Sequence, residues 1–134
     1  MRVLFDTSVL VAALIVSHPQ HSAYFARLKA AESRQVQGFV STHSLAEIYS
    51  VITCFPLQPR ITPNQAQSMI IDISHYLNVV PLLSNEYLVA IAQMVALNLP
   101  GGGIFDALIA QAALKADVDI LLTLNPNDFT RLPE

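Results

Sequence analysis

Val3-Leu4-Phe5-Asp6-Thr7-Ser8-Val9-Leu10 is the stretch whose reading decides the fold. Arg2–Phe5 is short and apolar, which fits a buried strand. Asp6, Thr7 and Ser8 bring helix-cap chemistry, and Val9 to Val16 then fits a first helix. The same alternation continues down the chain. His18 to about Arg34 reads as a second helix broken by Gly38, and Phe39-Val40-Ser41 as a short strand. Leu45, Ile48, Tyr49 and Ile52 recur at helical spacing. Pro56, Pro59 and Pro63 mark a loop. Thr62-Pro63-Asn64-Gln65 opens another helix, with Thr62 as N-cap, Pro63 in the first turn and Gln65 closing a capping box. Val79 and Val80 suggest a strand ended by Pro81, Ser84 caps a helix to about Asn98, and Gly101 to Gly103 form a loop. Phe105 to Ala116 reads as helix and Ile120 to Thr123 as strand. Strands alternating with helices argue an α/β fold: a central parallel sheet with helices on both faces, whose ligands bind at the carboxyl ends of the strands.

The chain has no repeat, low-complexity tract or linker, and residues 1–134 read as a single domain. The hydrophobic fraction is 53% and the mean hydropathy +0.47, high for a soluble domain. The excess fits a well-filled core, an oligomer interface or a groove for a partner helix. It does not fit a membrane span, because the longest uninterrupted apolar run, Val9 to Val16, falls far short of the roughly 18 residues required. Asp6 interrupts the approach to that run and no small-residue cleavage site follows, so the N-terminus reads as mature structure and the protein as cytoplasmic. Cys54 is the single cysteine, which excludes a disulfide framework or a cysteine zinc site.

Against a charged fraction of 13%, the acids stand out. Asp6, Glu47 and Asp106 each lie where a hydrophobic stretch gives way to a helix start. Each has a structural reading. Asp6 fits a cap of the first helix. Glu47 fits a capping box with Ser44. Asp106 fits a dipole partner after the glycines, and Asp128 fits the turn Asn125-Pro126-Asn127. Taken together, the predicted fold brings Asp6, Thr123 and Glu47 toward one sheet edge. Carboxylates gathered there suit a hard divalent cation, which prefers oxygen ligands plus water. Such a site supports metal-assisted phosphodiester hydrolysis. A net charge of −3 argues against binding nucleic acid through a broad basic surface, so metal would supply part of the local positive charge.

Four segments in order resemble the PIN-domain ribonucleases, especially the VapC-type toxins of bacterial toxin–antitoxin pairs. They are Val3 to Leu10, Ser44-Leu45-Ala46-Glu47-Ile48-Tyr49, Phe105-Asp106-Ala107-Leu108-Ile109-Ala110, and Leu122 to Phe129. The resemblance implies a three-layer PIN-like fold and a metal-dependent endoribonuclease. It implies that Asp6, Glu47 and Asp106 are the catalytic acids holding Mg²⁺ or Mn²⁺, with Glu47 binding directly, acting through water or orienting the nucleophile. It implies that Ser8 and Thr123 brace the acids. It further implies an RNA substrate, an antitoxin partner and a homodimer. One departure stands at Asn125, where many family members carry a fourth acid. A neutral amide removes a unit of negative charge, weakening a second metal position, and Asp128 is the nearby residue able to compensate.

Other features weigh less. His18 and His21 lack a third metal ligand and read as solvent-facing; His43, just before Glu47, reads as structural or substrate-touching. Gly101-Gly102-Gly103 is no phosphate loop, since no Gly-Lys-Ser/Thr follows, and gives slack beside Asp106. The helices near Tyr24 and Tyr49 offer either core or a surface for an antitoxin helix. The rival from another class is a non-catalytic PIN-fold protein that binds RNA or a regulator, motivated by Asn125 and the acidic balance. A DNA or flap-type nuclease is a third reading, disfavoured by the short chain.

Overall fold

The computed structural model describes residues 1–126; Asp128 and Phe129 lie outside the described residues. Four strands and six helices follow one another as β1 (Arg2–Phe5), α1 (Thr7–Leu14), α2 (His21–Glu32), β2 (Gln37–Ser41), α3 (Thr42–Cys54), α4 (Pro63–Ser74), β3 (Asn78–Val80), α5 (Ser84–Ala96), α6 (Gly103–Ala116) and β4 (Ile120–Leu122). All strand pairs are parallel, in the order β3-β2-β1-β4. The chain therefore builds outward from β1 through β2 to β3, then returns to place β4 on the other side of β1. The edge between β1 and β4 is the switch point of the sheet, where open α/β sheets take their ligands.

Side chains alternate along a strand, so β1 feeds two cores. Val3 and Phe5 point into one, packed by Val9 and Leu10 of α1, Leu28 and Ala31 of α2, Ile48 and Ile52 of α3, and Ile73 of α4. Leu4 points the other way, joining Phe39, Val80 and the α6 residues Ile109 and Ala112. Helix α5 then packs on α6 through Ala90 and Met94 against Ala107 and Leu108. Three layers result, with the α1–α4 group on one face and α6 backed by α5 on the other. The expected α/β architecture is the observed one. Among the described residues no helix is long and apolar enough to cross a membrane.

Several boundaries differ from the sequence reading, each for a local reason. Helix α2 ends at Glu32, two residues before the expected Arg34, and Gly38 is not what stops it: Arg34 takes a left-handed φ of 65°, and Gln35 N–H closes onto Ala30 O at 2.9 Å. Gly38 lies inside β2 instead. Helix α3 starts at Thr42 and is capped by Ser41, whose hydroxyl accepts from Ser44 N–H at 3.1 Å. Glu47 is therefore inside the helix rather than at its start, and the capping box expected between Ser44 and Glu47 does not form. Ser84 is the first residue of α5, not its cap. Helix α6 begins at Gly103, ahead of the expected Phe105.

The opening of α4 matches the sequence reading. Thr62 Oγ1 accepts from Gln65 N–H at 3.2 Å, and Gln65 Oε1 accepts from Thr62 N–H at 2.9 Å. Because the cap is exposed and touches no acid, Thr62→Ala is expected to lower stability by about 1 kcal/mol and leave the site unaffected. Chemical denaturation checks this; a change under about 0.3 kcal/mol would mean that water replaces the cap fully.

Candidate active site

Register brings the first cluster together. Phe5 pairs with Leu122 across β1 and β4, so the next residues, Asp6 and Thr123, leave the sheet side by side. Asp6 N–H donates to Leu122 O at 3.0 Å. Asp6 occupies the N-cap position of α1, yet its side chain caps nothing. Its Oδ2 instead accepts from Thr123 Oγ1 at 2.7 Å and from Ser8 Oγ at 2.8 Å. The capping role offered by the sequence is thus declined in favour of a fixed carboxylate. The same hydroxyls fasten the segment after β4: Ser8 Oγ accepts from Leu124 N–H at 3.1 Å, and Thr123 Oγ1 from Asn125 N–H at 3.0 Å. Ser8 and Thr123 thus both hold the Asp6 carboxylate and tie it to the segment after β4.

Glu47 is reached by a second chain of hydroxyls. Thr7 Oγ1 lies 3.1 Å from Glu47 Oε1 and 2.9 Å from Ser44 Oγ, which is 3.1 Å from Ser41 Oγ. Thr7 has one hydroxyl proton, and a carboxylate is the stronger acceptor. Thr7 therefore donates to Glu47, Ser44 to Thr7 and Ser41 to Ser44, giving every one of these protons a single destination. Thr7, Ser41 and Ser44 are all buried. The sequence reading missed this relay. Its signal was present in three hydroxyl residues on the strand ends and first helical turns, but cap chemistry explains each of them equally well.

Asp6, Glu47 and Asp106 line one open cleft of about 360 Å³, with His18 and Asn125 also on its walls. Asp106 comes from the first turn of α6, where the helix dipole favours a carboxylate. Asp6 is only 5% exposed, and among the described residues no cationic side chain comes within ion-pair distance of it. Among the described residues its side-chain partners are hydroxyls, which compensate a buried carboxylate poorly, and the carboxylate, hydroxyl and amide oxygens on this otherwise apolar wall fit a hard cation. The three acids share the cleft without closing on one point: among the described residues no three His, Cys, Asp or Glu side chains form a group that could hold an ion together. A cation bound here would take one or two carboxylates and fill its shell with water, as Mg²⁺ commonly does.

The histidines part company with the expectation of solvent-facing rings. His18 is half-buried on the cleft wall, its Nδ1 accepting from Gln20 N–H at 3.0 Å. His21 is half-buried too, with Nδ1 3.0 Å from Ala12 O and its ring stacked on Phe25. The two rings have separate surroundings and do not act as a metal pair. No lysine or arginine is among the described residues lining the cleft, so His18 is its basic side chain. A larger groove of about 870 Å³, lined by the end of α1, the Leu57–Ile61 loop and α4, contains none of the acids. The smaller cleft is therefore the candidate site, because it alone of the two carries the acids.

An open parallel sheet carrying an acidic cleft at its switch point, with every acid supplied by a different segment, defines a doubly wound α/β protein. The chain belongs to the PIN-domain family, whose profile matches residues 2–127. Among curated proteins it is similar to ribonuclease VapC27 of Mycobacterium tuberculosis, 30% identical over 110 residues that cover 82% of this chain and 75% of the relative. It is also similar to ribonuclease VapC40 of that organism, 31% identical over 116 residues covering 87% and 81%. Among solved structures it superposes on the sarcin-ricin loop cleaving toxin VapC20 of M. tuberculosis with a TM-score of 0.73 at 15% identity, over 96% of this chain and 93% of that one. VapBC2 from Rickettsia felis, solved bound to a promoter DNA fragment, gives 0.69 at 23% identity over 99% and 94%. VapBC-1 of nontypeable Haemophilus influenzae gives 0.64 at 19% over 98% and 92%.

Proposed function

We propose that this protein is a metal-dependent endoribonuclease, the toxin of a type II toxin–antitoxin pair, hydrolysing RNA phosphodiester bonds at a Mg²⁺ or Mn²⁺ site. The observation that carries the reading is Asp6, a nearly buried carboxylate without a cationic partner among the described residues, in one cleft with Glu47 and Asp106. The curated relatives named as VapC ribonucleases support it. Asp6 and Asp106 would hold the ion, and Glu47 would hold it directly or through water, or orient the attacking water. The ion, when bound, supplies Lewis-acid stabilisation and lowers the pKa of water. The chain's own residues do the rest. Ser8 and Thr123 fix the Asp6 carboxylate, Thr7 fixes Glu47, and His18 offers the cleft's basic edge to a phosphate. Asn125 presents a neutral amide where a fourth acid would add charge, which weakens any second metal position.

The partners follow from what the surface leaves open. Two of the structural neighbours are VapBC pairs, which supports an antitoxin as the silencing partner. Tyr24 is half-buried against the core, whereas Tyr49 is 41% exposed, so the part of that surface left for an antitoxin lies toward Tyr49. Leu88, Ile91 and Val95 form an exposed apolar stripe along α5, a surface that suits a homodimer. A non-catalytic PIN-fold protein that binds RNA or a regulator is the second reading, favoured by Asn125 and by the separation of the three acids.

One experiment divides the two. Antitoxin-free protein is incubated with a pool of structured RNAs in Mn²⁺, Mg²⁺ or EDTA, and melting is followed in the same buffers. The nuclease reading expects fragments only with metal, and a rise in Tm with Mn²⁺, since a ligand at 100 times its Kd stabilises the fold by about 2.7 kcal/mol. Neither cleavage across a wide RNA panel nor a metal-dependent Tm would leave the binding protein as the better account.

A further inference from the structure

We infer that His43 is a positioning residue for Glu47, holding one carboxylate oxygen so that the other faces the cleft; the inference rests on the metal-dependent reading above. His43 is on the first turn of α3, one turn before Glu47 on the same face of the helix. Its Nε2 is sealed from solvent and has no hydrogen-bond partner, the single buried side-chain nitrogen or oxygen in that condition among the described residues. The nearest acidic atom is Glu47 Oε1, 3.6 Å away, just too far for a hydrogen bond. An orphaned buried polar atom beside a functional carboxylate calls for a partner. The tautomer with its proton on Nε2 is the one compatible with this neighbour.

Two further contacts make the arrangement specific. The imidazole lies nearly parallel to the Phe105 ring, 5.0 Å between centroids and 13° between planes, and Phe105 directly precedes Asp106. The stack holds the ring's plane, so Nε2 keeps its aim, and it ties the Glu47 side of the cleft to the Asp106 side. The Thr7 hydroxyl addresses the same Glu47 oxygen, Oε1, at 3.1 Å. A small shift of Glu47 Oε1 toward Nε2 would bring the pair within hydrogen-bond distance. Oε1 is then held by two donors and Oε2 is left for the ion or its water. Ligating carboxylates are commonly held in this way, and losing such a partner weakens metal affinity or activity by about 10- to 100-fold.

The test keeps the ring and removes the donor. His43→Phe preserves the stack on Phe105, and His43→Gln places an amide N–H near the position of Nε2. Apparent Mn²⁺ affinity is read from the Tm rise against Mn²⁺ concentration, beside the cleavage rate. His43→Phe is expected to weaken Mn²⁺ binding about tenfold while its EDTA melting curve stays close to wild type, and His43→Gln to recover most of the loss. In a Glu47→Gln background the His43→Phe effect should shrink, because the residue acts through Glu47. Wild-type Mn²⁺ affinity in His43→Phe, or an undiminished effect in the Glu47→Gln background, overturns the inference alone. Absence of any Mn²⁺ effect on the wild type overturns the metal reading and this inference with it.

Discussion

Asp6→Asn is expected to lower RNA cleavage by at least about a thousand-fold, because several kcal/mol of transition-state stabilisation depend on an ion that the amide holds poorly. The fold should survive. The substitution is isosteric, and the amide oxygen still accepts from Ser8 and Thr123, which now donate to Oδ2 at 2.8 and 2.7 Å. It also removes a charge from a group that is 5% exposed and has no cationic partner among the described residues. In EDTA the variant should therefore melt at or slightly above the wild-type temperature. In Mn²⁺ the two should separate, with only the wild type gaining stability. This crossing pattern distinguishes a lost ligand from a damaged fold. Asp106→Asn is expected to behave alike in cleavage. More than a tenth of wild-type activity in Asp6→Asn would remove this acid from the site.

The parts of this molecule legible in the sequence are those set by local pattern. Arg2–Phe5 was readable as a buried strand because three consecutive apolar side chains, Val3-Leu4-Phe5, directly before a capping residue leave little else. The Thr62–Gln65 start was readable because both halves of a capping box lie within four residues. Asp6 and Thr123 could be put at strand ends, and a parallel sheet then brings them together. What the pattern could not give is the wiring. Whether Asp6 caps α1 or accepts from Thr123 depends on β4 pairing with β1 in one register, and that pairing spans nearly the whole chain. Glu47 was misplaced by one turn or more for a related reason: Ser41 and Ser44 are equally good caps locally, and the choice is made by where β2 ends. The roles of Thr7 and His43 arise only when α1, α3 and α6 meet. Their residue types say nothing about it beforehand.

Gly38 shows the same limit from the side of packing, and it yields a large expected stability effect. Read from sequence it is a helix breaker; in the fold it is a close-approach position in the middle of the first core. A Cβ there would lie 2.5 Å from Leu77 Cδ2, 2.9 Å from the Ala31 Cβ and 3.3 Å from Phe5 Cε1. Leu77 can turn aside, but Ala31 moves only with the backbone of α2, and Phe5 is the fully buried residue directly before Asp6. Replacing a strand glycine normally gains roughly 0.5–1 kcal/mol by restricting the unfolded chain. Overpacking of this kind costs about 1–3 kcal/mol for added methylenes and rises with size, so the clash wins. Gly38→Val is expected to lose about 3 kcal/mol, or roughly 10 °C in Tm for a domain of this length. Gly38→Ala should lose less. Leu77→Ala alone should cost about 2–5 kcal/mol as a core truncation, but because it vacates the nearest obstacle, the double variant should lose less than the sum of the two single losses. Because the third obstacle is Phe5, the strain also runs toward Asp6. Gly38→Ala should weaken Mn²⁺ binding although Gly38 touches neither acid nor cleft. Chemical denaturation of the two single variants and the double variant measures the coupling. Strict additivity would show that α2 rather than Leu77 takes up the strain, and a Gly38→Val protein as stable as wild type would mean that the helix stands off the sheet further than these distances allow.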